Sequence, residues 1–150
     1  MDDLRTGGCQ CGAVRFRFTG ALGEASICHC RMCQKAFGNF FAPLVSVAEE
    51  RLIWTRAEPK RFQSSNHVRR GFCGECGTPL TYEAPDGVAL AIATFDVPSD
   101  IAPVIQFGTE TKLRYVDGLR DLPLRATLDD LEAAPFLSEV ISFQHPDREE

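Results

Sequence analysis

No apolar stretch in this 150-residue chain approaches the length needed to span a bilayer. The longest, Val88 to Phe95, falls far short of the roughly 20 residues a transmembrane helix requires. The first residues, Met1-Asp2-Asp3-Leu4-Arg5, contain no apolar core of a secretory signal, so a cytoplasmic location is expected. Lysine-rich tails are also missing, and the formal net charge is −5, which argues against nucleic acid as a partner. We find no glycine-rich phosphate loop, no Ser-His-Asp constellation, no internal repeat and no low-complexity tract. With 44% hydrophobic and 25% charged residues the composition is that of an ordinary globular protein rather than a disordered one. The length predicts one domain spanning residues 1–150, large enough to build its own core.

Against this plain background stand seven cysteines. Their density is below that of small secreted disulfide scaffolds, their number is odd, and no export signal precedes them. In a reducing compartment such residues bind metal or do chemistry. They fall into three groups: Cys9 and Cys11, then Cys28, Cys30 and Cys33, then Cys73 and Cys76. These spacings put several sulfurs on one side of a tight turn, within reach of one tetrahedral ion. Gly7, Gly8, Gly12, Gly74 and Gly77 flank the groups and allow the backbone conformations that such turns need. Four cysteines close one site and three remain. The simplest partition joins the two pairs into a closed, structural site and leaves the triplet as an open one, with room for water or substrate. Spacing alone also permits the triplet to recruit one outside cysteine.

Short strands dominate the rest of the chain. Ala13 to Phe18 alternates, with Val14, Phe16 and Phe18 expected to face inward and Arg15 and Arg17 outward. Phe40–Val47, Arg51–Thr55, Arg61–Ser64, Val68–Phe72, Pro79–Ala84 and Val88–Phe95 also read as strands. The third and fourth of these should pair, and Pro85-Asp86-Gly87 should turn between the last two. Gln34–Gly38 reads as a short helical turn, and Asp129–Ser142 as a helix interrupted by Pro135. The pattern predicts a mainly β, antiparallel domain. Residues 1–79 carry a formal +4 and residues 80–150 a formal −9, so an acidic, solvated C-terminal third is expected.

The cysteine motifs carry a family resemblance. Gly7-Gly8-Cys9-Gln10-Cys11-Gly12-Ala13-Val14-Arg15-Phe16, Cys28-His29-Cys30-Arg31-Met32-Cys33-Gln34-Lys35 and Phe72-Cys73-Gly74-Glu75-Cys76-Gly77-Thr78-Pro79-Leu80 resemble the three signatures of the glutathione-dependent formaldehyde-activating enzyme family. That family also includes centromere protein V. The match spans roughly residues 7–98, and Thr94-Phe95-Asp96 resembles a further short motif. It weakens beyond about residue 100, where a histidine and a Pro-Trp pair common among relatives are missing. The resemblance implies an antiparallel β-tent zinc fold with two Zn2+ per chain. Cys9, Cys11, Cys73 and Cys76 match the structural zinc ligands, and Cys28, Cys30 and Cys33 match the ligands of the second, catalytic zinc. The implied activity is that of a carbon–sulfur lyase, joining a glutathione-like thiol to formaldehyde to give S-hydroxymethylglutathione.

A thiol that coordinates zinc is deprotonated, so an open position would recruit a substrate thiol as thiolate. Three thiolates around a divalent ion leave a net −1, and a fourth makes it −2, which favours holding a thiol over polarising a carbonyl. His29, between two ligand candidates, points away from the metal if the segment is extended, and is expected to support or pack. His67 and His145 read as surface residues. Arg31, Lys35, Arg69 and Arg70 are candidates for glutathione carboxylates or plain solvated charge. Phe37, Phe40, Phe41, Trp54, Phe62 and Phe72 are expected in the core. Two other function classes fit the cysteines, a non-catalytic zinc-binding module and a zinc or thiol-stress buffer. The sequence does not fix an oligomeric state.

Overall fold

A computed structural model describes residues 3–148. In chain order its strands are β1 (Leu4–Gly8), β2 (Arg15–Thr19), β3 (Ala25–Cys28), β4 (Ala42–Val47), β5 (Leu52–Trp54), β6 (Lys60–Gln63), β7 (Arg69–Phe72), β8 (Pro79–Ala84), β9 (Gly87–Ala91) and β10 (Ile105–Phe107). One α-helix, α1 (Arg31–Phe37), follows β3. The strands form two sheets, β1-β2-β5 and β10-β3-β4-β9-β8-β7-β6. The fold is thus mainly β, as the alternation predicts. All pairs are antiparallel except β10 with β3, which run parallel.

The core lies where the two sheets meet. Phe16 and Phe18 from β2 are fully buried beside Val45 from β4, Leu90 from β9 and Phe95. The Phe16 ring meets Phe95 edge to face at 5.1 Å between centroids. This corrects the expected core aromatics. Phe40 and Phe62 are exposed, while Phe37, Phe41, Trp54 and Phe72 are only partly buried. Phe40 and Phe62 lie where the chain leaves α1 and on the terminal strand of the large sheet, where little packs over them.

Arg15 departs from expectation too. It alternates with Phe16, but its face of β2 is covered, and it is buried. Its guanidinium donates two hydrogen bonds to Asp96, at 2.9 and 2.7 Å, and a third to the Arg148 carbonyl. Thr6 Oγ1 also donates to Asp96. Burial pushes the Asp96 carboxyl up, but the donors from Arg15 and Thr6, with the charges of Arg15 and His145, outweigh it and hold it below the usual carboxylate range. Such a group contributes stability that is complete above the ordinary carboxylate pKa of about 4 and is lost as pH falls through its own lower value. Asp96→Asn leaves a buried guanidinium unpaired, which costs about 3–5 kcal/mol. The expected result is a melting temperature lowered by about 10 °C at pH 7 and a shallower fall in stability between pH 4 and 2. Thermal melts across that range check both.

Elsewhere the differences are local. The strand expected to reach Phe95 stops at Ala91, and Ile92–Thr94 makes a 3-10 turn. The expected helix over 129–142 is two 3-10 turns, Thr127–Asp130 and Pro135–Glu139, the second opened by the proline that cannot continue a helix. No helix among the described residues is long and apolar enough to cross a membrane.

Candidate metal centre and thiol pocket

Two turns of the same design carry the cysteine pairs. After β1, the Cys9 N–H donates to the Val14 carbonyl and the Gly12 N–H returns to the Cys9 carbonyl. After β7, the Cys73 N–H donates to Thr78 and the Gly77 N–H returns to Cys73. Gly12 and Gly77 close these turns at φ of 81° and 83°, a left-handed conformation that side chains disfavour. The Gln10 N–H donates to Thr78 Oγ1 at 3.0 Å, clipping one turn to the other.

The result is a cluster of Cys9, Cys11, Cys73 and Cys76, with all four sulfurs within 4.8 Å of one another. Cys9 and Cys11 are 3.6 Å apart, and Cys11 and Cys73 are 3.8 Å apart. Sulfurs bound tetrahedrally at about 2.3 Å from an ion would lie about 3.8 Å apart. Backbone N–H groups of Val14 and Glu75 point at the sulfurs of Cys9 and Cys73, at 3.3 and 3.4 Å, as donors to thiolates do. With no cation, burial pushes the Cys9 thiol up to about 12. Burial raises the Cys76 thiol too, but hydrogen bonds from Thr78 and Cys11 outweigh it and bring it down to about 6. Four sulfurs at this near-tetrahedral spacing fit a metal ion.

Cys28, Cys30 and Cys33 form a second cluster, again with every sulfur within 4.8 Å of the others. Cys28 ends β3, and Cys30 caps α1, its sulfur accepting the Cys33 N–H at 3.4 Å. Gly38, at φ 56°, closes the helix. Burial pushes the Cys33 thiol up to about 12, against a hydrogen bond from Arg70 that lowers it. The two clusters share no cysteine, and no outside cysteine joins the triplet. Each could hold a metal ion.

The triplet lines a cavity of about 520 Å³ together with Met32, Arg70, Tyr82 and Phe107. That size lies within the range of small-molecule sites. Arg70 is buried, unlike Arg31, Lys35 and Arg69, which are exposed. Arg31 bonds Gln34, and Arg69 pairs with Glu83. His29 is fully buried. Its Nε2 bonds Gln106 at 2.8 Å and its ring meets Phe41 edge to face. His67 is exposed, while His145 is partly covered, its N–H donating to the Gln10 carbonyl.

Residues beyond 100 hold the triplet in place, a role the motifs did not indicate. β10 pairs with β3 up to Phe107 and Cys28, and the His29 N–H donates to the Phe107 carbonyl. The His29 carbonyl accepts from both Gln34 Nε2 and Thr111 Oγ1, at 2.7 and 2.9 Å. The only trace of this in the sequence is the brief apolar run Val104-Ile105 with Phe107 after it.

Comparisons with known proteins bear on the family and the fold. The family model of the glutathione-dependent formaldehyde-activating enzyme matches residues 4–111. The chain belongs to that family, and the match runs past residue 98 to take in β10 and Thr111. A crystal structure of a Rhodobacter sphaeroides protein superposes with a TM-score of 0.55 at 21% identity, covering 67% of this chain and 98% of that one. The likeness supports the fold.

Proposed function

We propose that this protein is a zinc-dependent carbon–sulfur lyase that joins a glutathione-like thiol and a small aldehyde such as formaldehyde, or separates their adduct. The observation that carries the reading is the three-cysteine cluster in the wall of a 520 Å³ cavity, in a chain of this family. The chain is read as one domain with two Zn2+. Cys9, Cys11, Cys73 and Cys76 hold the structural ion, and Cys28, Cys30 and Cys33 hold the second. When bound, the second ion supplies an open position that keeps a thiol deprotonated at neutral pH. Cys28, Cys30 and Cys33 fix that position, and His29 and Gln106 brace the turn that carries them. Leu44, Val88 and Ala89 add apolar lining to the cavity. The C–S bond forms as the C=O π bond opens, and the resulting alkoxide takes up one proton from solvent, balancing the one that the thiol released on binding. No oxidant or reductant is required. A reducing, cytoplasmic setting suits seven unpaired thiols.

Zinc content and turnover of the zinc-loaded protein with a panel of thiols and aldehydes test the reading. A sharper prediction concerns binding. Glutathione should bind with release of a proton, because the ligand is the thiolate, and more tightly as pH rises towards the free thiol pKa of about 8.5. S-methylglutathione keeps the carboxylates but cannot form a thiolate, so its binding should be lost. Calorimetry in two buffers of different ionisation enthalpy counts the protons. Equal binding of both peptides without proton release would place the protein with the non-catalytic zinc modules.

A further inference from the structure

Arg70 presents a charge problem. A guanidinium stays protonated in proteins, and burying an unpaired one is costly. Arg70 is 4% exposed. Among the described residues no carboxylate pairs with it. Its Nε donates to Ser64 Oγ at 2.9 Å, and the guanidinium lies over the Tyr82 ring, 5.2 Å from the centroid. Its Nη2 donates to Cys33 Sγ at 3.3 Å, while Nη1 is buried without a partner. The only anion these contacts offer is a cysteine thiolate of the triplet.

We propose that Arg70 is the counter-ion that lets the Cys28, Cys30 and Cys33 cluster accept an anionic fourth ligand, a substrate thiolate, and is thereby a positioning residue for thiol binding. The proposal rests on the open-triplet reading above. Three thiolates and a divalent ion carry −1, and a substrate thiolate makes −2. A fixed positive charge at Cys33 reduces these totals to 0 and −1 inside a poorly hydrated wall, where uncompensated charge is most costly. The N–H···S bond also draws electron density from Cys33, so that sulfur competes less with an incoming one. Arg70 thus acts through Cys33 and not by gripping a distant glutathione carboxylate.

The test uses cobalt(II)-loaded protein, in which sulfur-to-cobalt charge-transfer absorption reports thiolate ligation, titrated with glutathione. Wild type should gain absorption as the thiol binds. Arg70→Met, which keeps the bulk but not the charge, should need about 10- to 100-fold more glutathione, the range lost with a hydrogen bond to a charged group. Arg70→Lys, which keeps the charge, should recover most of the affinity. The absorption of the four-cysteine cluster serves as the folding control, and Arg70→Gln replaces the Met variant should that signal be lost. An unchanged titration in the neutral variant, or equal losses in the Met and Lys variants, would overturn the role of Arg70 alone. No response of wild type to glutathione would overturn the open-triplet reading and this proposal with it.

Discussion

Cys73→Ser should yield insoluble or unfolded protein. Cys11 and Cys73 are 62 residues apart, so the ion proposed for the four-cysteine cluster would tie the first turn of the small sheet to a distant turn of the large one. Structural zinc binding is worth about 10–16 kcal/mol in small peptides, and whole domains are stable by only about 5–15 kcal/mol. Cys73 is also 1% exposed and packs with Val14 and Leu80, so the serine hydroxyl would be buried where a thiolate belongs. Solubility, circular dichroism and a thermal melt decide the matter. A soluble variant with an unchanged melting temperature would remove the structural assignment.

Cys30→Ser should have the opposite profile, with the fold kept and activity lost. The triplet lies within six residues, so its ion closes only a local loop, and little chain entropy depends on it. The substitution also spares the local structure. Cys30 is the N-cap of α1, accepting the Cys33 N–H, and serine is a preferred residue at that position. The variant should melt close to wild type, retain about one zinc per chain, and lose its thiol-dependent turnover. Wild-type activity in a folded Cys30→Ser protein would favour the non-catalytic module.

The cysteine grouping was legible because each group packs its sulfurs into one turn, which spacing alone encodes. The joining of Cys9 and Cys11 to Cys73 and Cys76 was only one of two readings, since it depends on how two distant hairpins meet. β2 and β4 to β9 showed themselves through alternation and turn residues. β1, Leu-Arg-Thr-Gly-Gly, carries two glycines and little strand propensity, and was missed. β3 and β10 have four and three residues, too few to establish a period, and all three of β10 are exposed. Arg15 alternates correctly along β2, yet its burial depends on Asp96 and the Arg148 carbonyl, which lie far along the chain. Arg70 appeared as one of four nearby cations, and only the folded arrangement separates it from the rest.

The separation of the four-cysteine cluster along the chain also sets a time. Translation proceeds at about 5–20 residues per second, so roughly 2–8 s pass between synthesis of Cys33 and of Cys73. During that interval the nascent chain holds Cys9, Cys11 and the complete triplet, but not the partners of the first pair. An ion held by the triplet in that interval could take a fourth thiolate from Cys9 or Cys11, a pairing absent from the finished fold. Such an ion would have to give that ligand up before the Cys73 turn could close the four-cysteine cluster.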